Sequence, residues 1–246
     1  RQVHIMQLFE TMVDVVSQGS VRRGRFSPYL PVEHKDINEF LEIGTEGNPI
    51  QELTHGVTVT DKWMQEMIDG DVDKRNIWAK VIQRRGEIGY PYIFFTDKAN
   101  MGAPKVYKEN GHKIVASNLC TEIMEVSDKE ETAVCNLASI ALPMFVETDQ
   151  NGKPFYNFEK LHTISRVVTF NLNRVIDVNY YPTEKTKRSN NKHRPIGIGV
   201  QGLADTFILM NHNFDSSEAK QLNKDIFETI YHAALEESCS VCLLYT

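Results

Sequence analysis

The feature that most limits the fold is an alternation of short apolar runs with segments of helical period. The runs cover residues 26–30, 57–59, 92–95, 133–137 and 195–200, and several are bounded by glycine or proline. Each is too short for a helix and favours β-branched, aromatic or other apolar residues, so each predicts a strand. Between them lie helical segments. In residues 2–17, Val3, Met6, Leu8, Phe9, Met12, Val13 and Val16 recur at helical spacing. Further segments cover 34–43, 61–68, 75–85, 158–178, 203–210 and 216–243. Thr60 or Asp61 is the candidate cap of the 61–68 helix and Gly70 its stop; Gly86 is read as the stop of the next. Residues 97–113 and 180–194 are polar and read as long loops. Residues 114–124 are strand-like but broken at Asn118, and 138–145 read as the start of a helix limited by Pro143. Strand followed by helix, repeated, predicts an α/β architecture with largely parallel strands. Gly197, Gly199 and Gly202 lack the spacing of a dinucleotide-binding fingerprint.

Composition narrows the function. The chain has 246 residues, 41% hydrophobic and 24% charged, enough for one large domain or two small ones. A net charge of −6 gives no sequence-wide basic character, so no nucleic-acid partner is expected. No apolar run approaches the ~18 residues needed to cross a bilayer, and the first residues lack the apolar core and cleavage site of a signal peptide. Neither membrane nor secretion is expected. Four cysteines are too few for a disulfide scaffold, so the reading is cytoplasmic (host cytoplasm if virus-encoded), with any disulfide transient and chemical. The chain opens on Arg1 inside a periodic segment, which reads as part of something longer.

Ser117-Asn118-Leu119-Cys120-Thr121-Glu122-Ile123 carries the most chemistry. In an extended backbone alternate side chains share a face, so Asn118, Cys120 and Glu122 would point one way. An amide, a thiol and a carboxylate on one buried-looking face suit a site where a thiol acts on a substrate, a carboxylate takes a proton and an amide holds a hydroxyl. A strand with a buried, inert cysteine and two solvent-facing neighbours is the alternative, and spacing alone leaves both open. Cys239 and Cys242 form a CxxC, which reads as a redox pair, half a metal site, or a helix cysteine beside an unrelated second one.

The 117–123 segment, followed by Ala133-Val-Cys-Asn-Leu-Ala-Ser139, resembles the active-site region of the ribonucleotide reductase large subunit, class I. Asn179-Tyr-Tyr-Pro182, the stretch from His193 to Asp205 and that from Leu222 to Tyr231 resemble the same family in the same order. The resemblance implies the central portion of a ten-stranded α/β barrel over residues 1–239, with 240–246 a divergent tail. It implies reduction of ribonucleoside diphosphates to deoxyribonucleoside diphosphates for DNA synthesis. Cys120 would be the thiyl-radical cysteine at a loop tip, Glu122 the base on the 3′ hydroxyl, and Asn118 the amide on the ribose hydroxyls. Leu119 and Thr121 complete the substrate-binding loop, and Cys135 would be one of two redox cysteines. No cysteine precedes residue 120, so the second has no counterpart in this chain.

Gln18, Gly19, Ser20, Val21, Arg22, Arg23 and Gly24 stand where the family carries its specificity loop, which implies dNTP or ATP effectors at a large-subunit dimer; a plain basic turn is the alternative. The resemblance further implies no metal in this chain, a radical supplied by a separate dimetal small subunit, and thioredoxin or glutaredoxin as reductant. A second polypeptide completing the barrel is one reading and a truncated gene the other; the chain is expected to be inactive alone. Two other readings stay open: a non-catalytic remnant or effector-binding module, and the cobalamin-dependent class.

Overall fold

The computed structural model describes residues 2–17, 21 and 23–245, with side chains as far as residue 242. The chain forms two compact units, residues 1–128 and 129–246.

The first unit is built on a three-stranded parallel sheet, β1 (Tyr29–Pro31), β2 (Gly56–Val59) and β3 (Tyr92–Phe95), in that order. Register sets Tyr29 opposite Gly56 and Gly56 opposite Tyr92. Because strand side chains alternate, Leu30, Val57, Val59 and Ile93 turn to one face. There they meet Val3 and Met6 of helix α1 (Gln2–Val15), Ile37 and Phe40 of α2 (Ile37–Phe40), Trp63 of α3 (Asp61–Ile68) and Val81 of α4 (Val72–Ile88). Tyr29 and Phe94 belong to a second cluster, with Ala103, Ile114 and Val126.

Helix ends follow local chemistry. Thr60 caps α3, its side chain accepting from the Trp63 amide at 3.2 Å; Asp71 caps α4 in the same way at 3.0 Å. The expected stop at Gly86 is corrected: α4 runs through it and ends at Gly89, whose φ of 81° is open to glycine at no steric cost. Glu10 ties α1 to the chain before β2, its carboxylate accepting from the amides of Gln51 and Glu52 at 2.9 and 2.7 Å.

Three further expectations in this unit are corrected. The expected strand at 26–30 is the shorter Tyr29–Pro31. Residues 97–113 are not one loop but hold α5 (Thr96–Gly102) and α6 (Lys105–Glu109). Residues 114–124 form no strand; they cross the Tyr29–Phe94 face as a loop. Asn100 of α5 clamps its start, donating to the Ile114 carbonyl at 2.8 Å and accepting from the Ile114 amide at 2.9 Å.

In the second unit β4 (Leu137–Ala141) pairs in parallel with β7 (Gly197–Gln201). Between them run a 3-10 turn (Leu142–Phe145), the antiparallel pair β5 (Val146–Thr148) and β6 (Pro154–Tyr156), α7 (Phe158–Val178) and α8 (Glu184–His193). After β7 come α9 (Leu203–Leu209) and α10 (Ser217–Tyr245). The strand expected at 133–137 is displaced to 137–141, and the helix expected at 138–145 is that strand plus the 3-10 turn. The loop expected at 180–194 contains α8, started by a Thr183–Thr186 capping box. The strand expected to be buried at 195–200 is the half-exposed β7. Helix α7 buries Leu161, Ser165, Thr169, Leu172 and Ile176, one stripe at helical spacing, and its main neighbour is α10. His162 and Arg166 of α7 meet His232 and Glu237 of α10, so the two helices run in the same direction.

His55, just before β2, is fully buried, edge-on to Phe40 and beside Tyr90, and neither ring nitrogen has a partner in hydrogen-bond geometry. Burial pushes its pKa down to about 4, and the nearby Leu53 backbone offsets only part of that. The unfolded chain therefore takes up a proton first. Stability is whole above the ordinary histidine value of about 6.5, declines below it, and the loss is complete below about 4, on the order of 3 kcal/mol in all. We predict that His55→Phe flattens the fall of Tm between these pH values. An unchanged slope in thermal melts would assign the acid sensitivity elsewhere.

Candidate active site

The loop that crosses the first sheet closes on itself at its tip. The Asn118 amide donates to the Ile123 carbonyl at 3.2 Å, and the Thr121 amide donates to the Asn118 carbonyl at 3.3 Å. Thr121 has a φ of 71°, a left-handed conformation that a β-branched residue rarely adopts. The chain is thus turned, not extended, and the shared-face argument for Asn118, Cys120 and Glu122 is corrected. The three residues lie on one tight turn instead. Cys120 stands exposed at the tip, Glu122 is exposed on the returning limb, and Asn118 is half-buried at the neck.

Asn118 is fixed by the amides around it. Its side-chain oxygen accepts from the backbone N–H of Glu122 at 3.1 Å and of Ile123 at 3.0 Å. Two N–H donors require the oxygen, not the nitrogen, at that position, so the side-chain NH2 faces away from the neck. The loop consumes the acceptor and leaves a donor for a ligand. Ser117 adds a hydroxyl bond to the Ile123 carbonyl at 3.0 Å.

Residues far away in sequence seat the loop. Tyr29 lies across β2, and a Cβ built on Gly56 would stand 2.3 Å from its ring, so only glycine leaves the space. The Tyr29 hydroxyl reaches the turn, 3.2 Å from Thr121 Oγ1 and 3.4 Å from the Asn118 carbonyl it donates to. Phe94 meets Tyr29 edge-on at 6.3 Å. Tyr92 stands near enough to Cys120 for their charges to interact. Burial, then its contact with Tyr90, raises its phenol above the ordinary range, and Cys120 and Tyr29 add to this. Sequence reading missed Tyr29, Gly56, Tyr92 and Asn100. A glycine at the start of an apolar strand pattern was the one signal on view.

Cys135 belongs to the second unit and is also exposed. Its neighbour Asn136 is buried and donates to Asn190 Oδ1 at 2.7 Å and to the Pro195 carbonyl at 2.9 Å. Asn190 in turn donates to the Tyr181 hydroxyl at 2.6 Å. On the other side Glu131 is buried between Lys192 and His193, at 2.5 Å from each. Lys192 first, then His193, holds its carboxyl below the usual carboxylate range despite burial. Residues 131–136 are thereby strapped to α8, with a cysteine presented at the surface.

Of the specificity-loop residues, Gln18, Gly19, Ser20 and Arg22 lie outside the described residues. Val21 and Arg23 are exposed, and Gly24 is half-buried beside the Val13 carbonyl. Cys239 and Cys242 are both exposed on α10.

Parallel strands wound with helices, and an exposed cysteine held on a braced turn above one sheet, define an α/β protein. The chain belongs to the ribonucleotide reductase family: the family model for the ribonucleotide reductase barrel domain matches residues 2–74 and 66–244. The ribonucleoside-diphosphate reductase large chain 2 of Saccharomyces cerevisiae is 39% identical over 97% of this chain and 32% of its own length. The large subunit of Variola virus is 37% identical over 97% of this chain and 35% of its own. In structure, the class Id ribonucleotide reductase alpha subunit of Actinobacillus ureae matches with a TM-score of 0.80 at 38% identity, over 97% of this chain and 44% of that one. The chain spans about a third of the length of these curated relatives. The expected resemblance to class I large subunits and the expected α/β barrel fold are both borne out. The alignment to the yeast protein spans 281 residues, more than the 246 of this chain, so that relative carries residues without a counterpart here.

We predict that Asn118→Ala speeds hydrogen exchange at the Glu122 and Ile123 amides, with a loss of about 1–2 kcal/mol of local stability. Asn118→Asp, which keeps the acceptor, should retain their protection. Equal exchange in all three proteins would show that the side chain does not hold the turn.

Proposed function

We propose that this chain is part of the catalytic subunit of a ribonucleotide reductase that converts ribonucleoside diphosphates to deoxyribonucleoside diphosphates by thiyl-radical chemistry. The observation that carries the reading is the braced turn, with Cys120 at its tip between Asn118 and Glu122. As a thiyl radical, Cys120 takes the 3′ hydrogen atom of the substrate ribose. Glu122 takes the proton of the 3′ hydroxyl, and the 2′ hydroxyl leaves as water with a proton given by the redox thiol pair. The Asn118 NH2, turned away from the neck, donates to a ribose hydroxyl, while Leu119 and Thr121 shape the turn against the substrate.

Two electrons come from a pair of thiols that becomes a disulfide, and Cys135 is one of that pair. Its partner thiol comes from outside this sequence, as does the radical, which a dimetal small subunit supplies. Thioredoxin or glutaredoxin renews the dithiol. The specificity loop, residues 18–24, reads a dNTP or ATP effector at a dimer of large subunits. Support for a covered surface there comes from α1, which leads into that loop and exposes Ile5, Leu8, Met12 and Val15 along one side. We place the chain in the cytoplasm, and among the described residues no helix is long and apolar enough to cross a membrane.

The test is reconstitution with the remaining portion of a large subunit, a small subunit, a ribonucleoside diphosphate and a dithiol reductant. Cys120→Ser should lower turnover by at least about a thousandfold while nucleotide still binds. Cys135→Ser should permit radical initiation but not sustained turnover. Substantial product formation by Cys120→Ser would remove the assignment.

A further inference from the structure

Away from the active-site loop, α7 and α10 bring three metal-ligating side chains together. His162 Nε2 lies 3.2 Å from His232 Nδ1 and 3.1 Å from Glu236 Oε2. All three ligand atoms fall within 4.8 Å of one another, and theirs is the one such group among the described residues. His232 and Glu236 stand four residues apart on α10, one turn along the same face. His162 comes from α7, whose flanking Leu161 and Ser165 are fully buried, so its backbone position is set by the core.

Hydrogen bonding among the three satisfies one of the two short contacts at a time. His162 Nε2 either carries one proton or presents one lone pair. If protonated, its proton points fully at Glu236 or at His232 but not at both. If unprotonated, its lone pair faces a carboxylate oxygen that carries lone pairs of its own. A cation among the three atoms removes the conflict, since each then offers a lone pair to the same centre. Two ligands about 2.0–2.1 Å from a tetrahedral zinc ion stand roughly 3.3 Å apart; the two edges at His162 are 3.2 and 3.1 Å, and the third lies within 4.8 Å. Arg166 does not occupy the position. It pairs with Glu237 at 2.8 Å and lies 3.5 Å from Oε1 of Glu236, leaving Oε2 toward the histidines.

We propose that His162, His232 and Glu236 form a site for a divalent transition-metal ion of the zinc class, with water completing the coordination. Bridging α7 to α10, the ion fastens the principal helix pair of the second unit. Imidazole and carboxylate suit zinc, cobalt or nickel better than magnesium or calcium, which take oxygen ligands.

The test titrates the chain, stripped with chelator, with zinc and with cobalt(II). One equivalent of zinc should raise Tm, magnesium should not, and bound cobalt should show a spectrum without sulfur-to-metal charge transfer. His162→Ala, His232→Ala and Glu236→Gln should each weaken binding by at least about tenfold while leaving the metal-free circular dichroism spectrum unchanged. Because His232 and Glu236 are exposed, these two changes spare the core even where His162→Ala does not. Three results would overturn the site: no zinc-dependent rise in Tm, binding undiminished in the His232 and Glu236 variants, or a thiolate band that moves the metal to the cysteines.

Discussion

The first unit depends on the register that sets Tyr29 opposite Gly56 in neighbouring parallel strands. One face of that sheet is closed by helices in the ordinary way. The other has to receive a loop, whose backbone amides and carbonyls need partners that a flat apolar surface lacks. Tyr29 supplies both kinds of contact: a ring that lies flat on β2 because residue 56 has no side chain, and a hydroxyl delivered to the turn. Asn100 and Asn118 supply the rest from within the loop and beside it. The thiol is held by this polar scaffolding while it stands exposed at the tip.

Much of the framework was legible because it rests on periodicity. The strands around 57–59 and 92–95, the Thr60 cap and the stripe of α7 all follow from apolar spacing and local capping. What escaped was held together by something else. Helix α8 has almost no apolar face; it stands on a capping box and on Lys192 and His193 gripping Glu131. Helix α5 is marked by Asn100, whose clamp on Ile114 has no sequence signature. Residues 133–135 look like the start of a strand because they are small and apolar, yet Asn136 is drawn sideways to Asn190 and Pro195, and pairing starts only at Leu137.

The site shows the same division. The residue types of Asn118, Cys120 and Glu122 left their chemistry open, and their expected roles came from the family resemblance. Their geometry was misread because alternation presumes an extended chain, whereas a left-handed residue reverses it between Cys120 and Glu122. Tyr29, which braces the turn, stands 89 and 92 positions from Asn118 and Thr121, beyond the reach of any local pattern. A thiol, a carboxylate and an amide can meet through a turn as readily as through a strand; only the turn frees the carbonyl end of Asn118 for the backbone and its NH2 end for a ligand.

Thr121 carries a further consequence. A β-branched residue at positive φ costs on the order of 1–3 kcal/mol unless its surroundings insist on it, and here its hydroxyl is met by Tyr29. Loop and sheet are therefore not interchangeable modules. The sequence 117–123 transplanted onto a strand without an aromatic hydroxyl, or above a second strand without a glycine, would arrive with its penalty and without its restraint. A change at Tyr29 therefore touches two things at once, the space left open at Gly56 and the hydroxyl contact of Thr121.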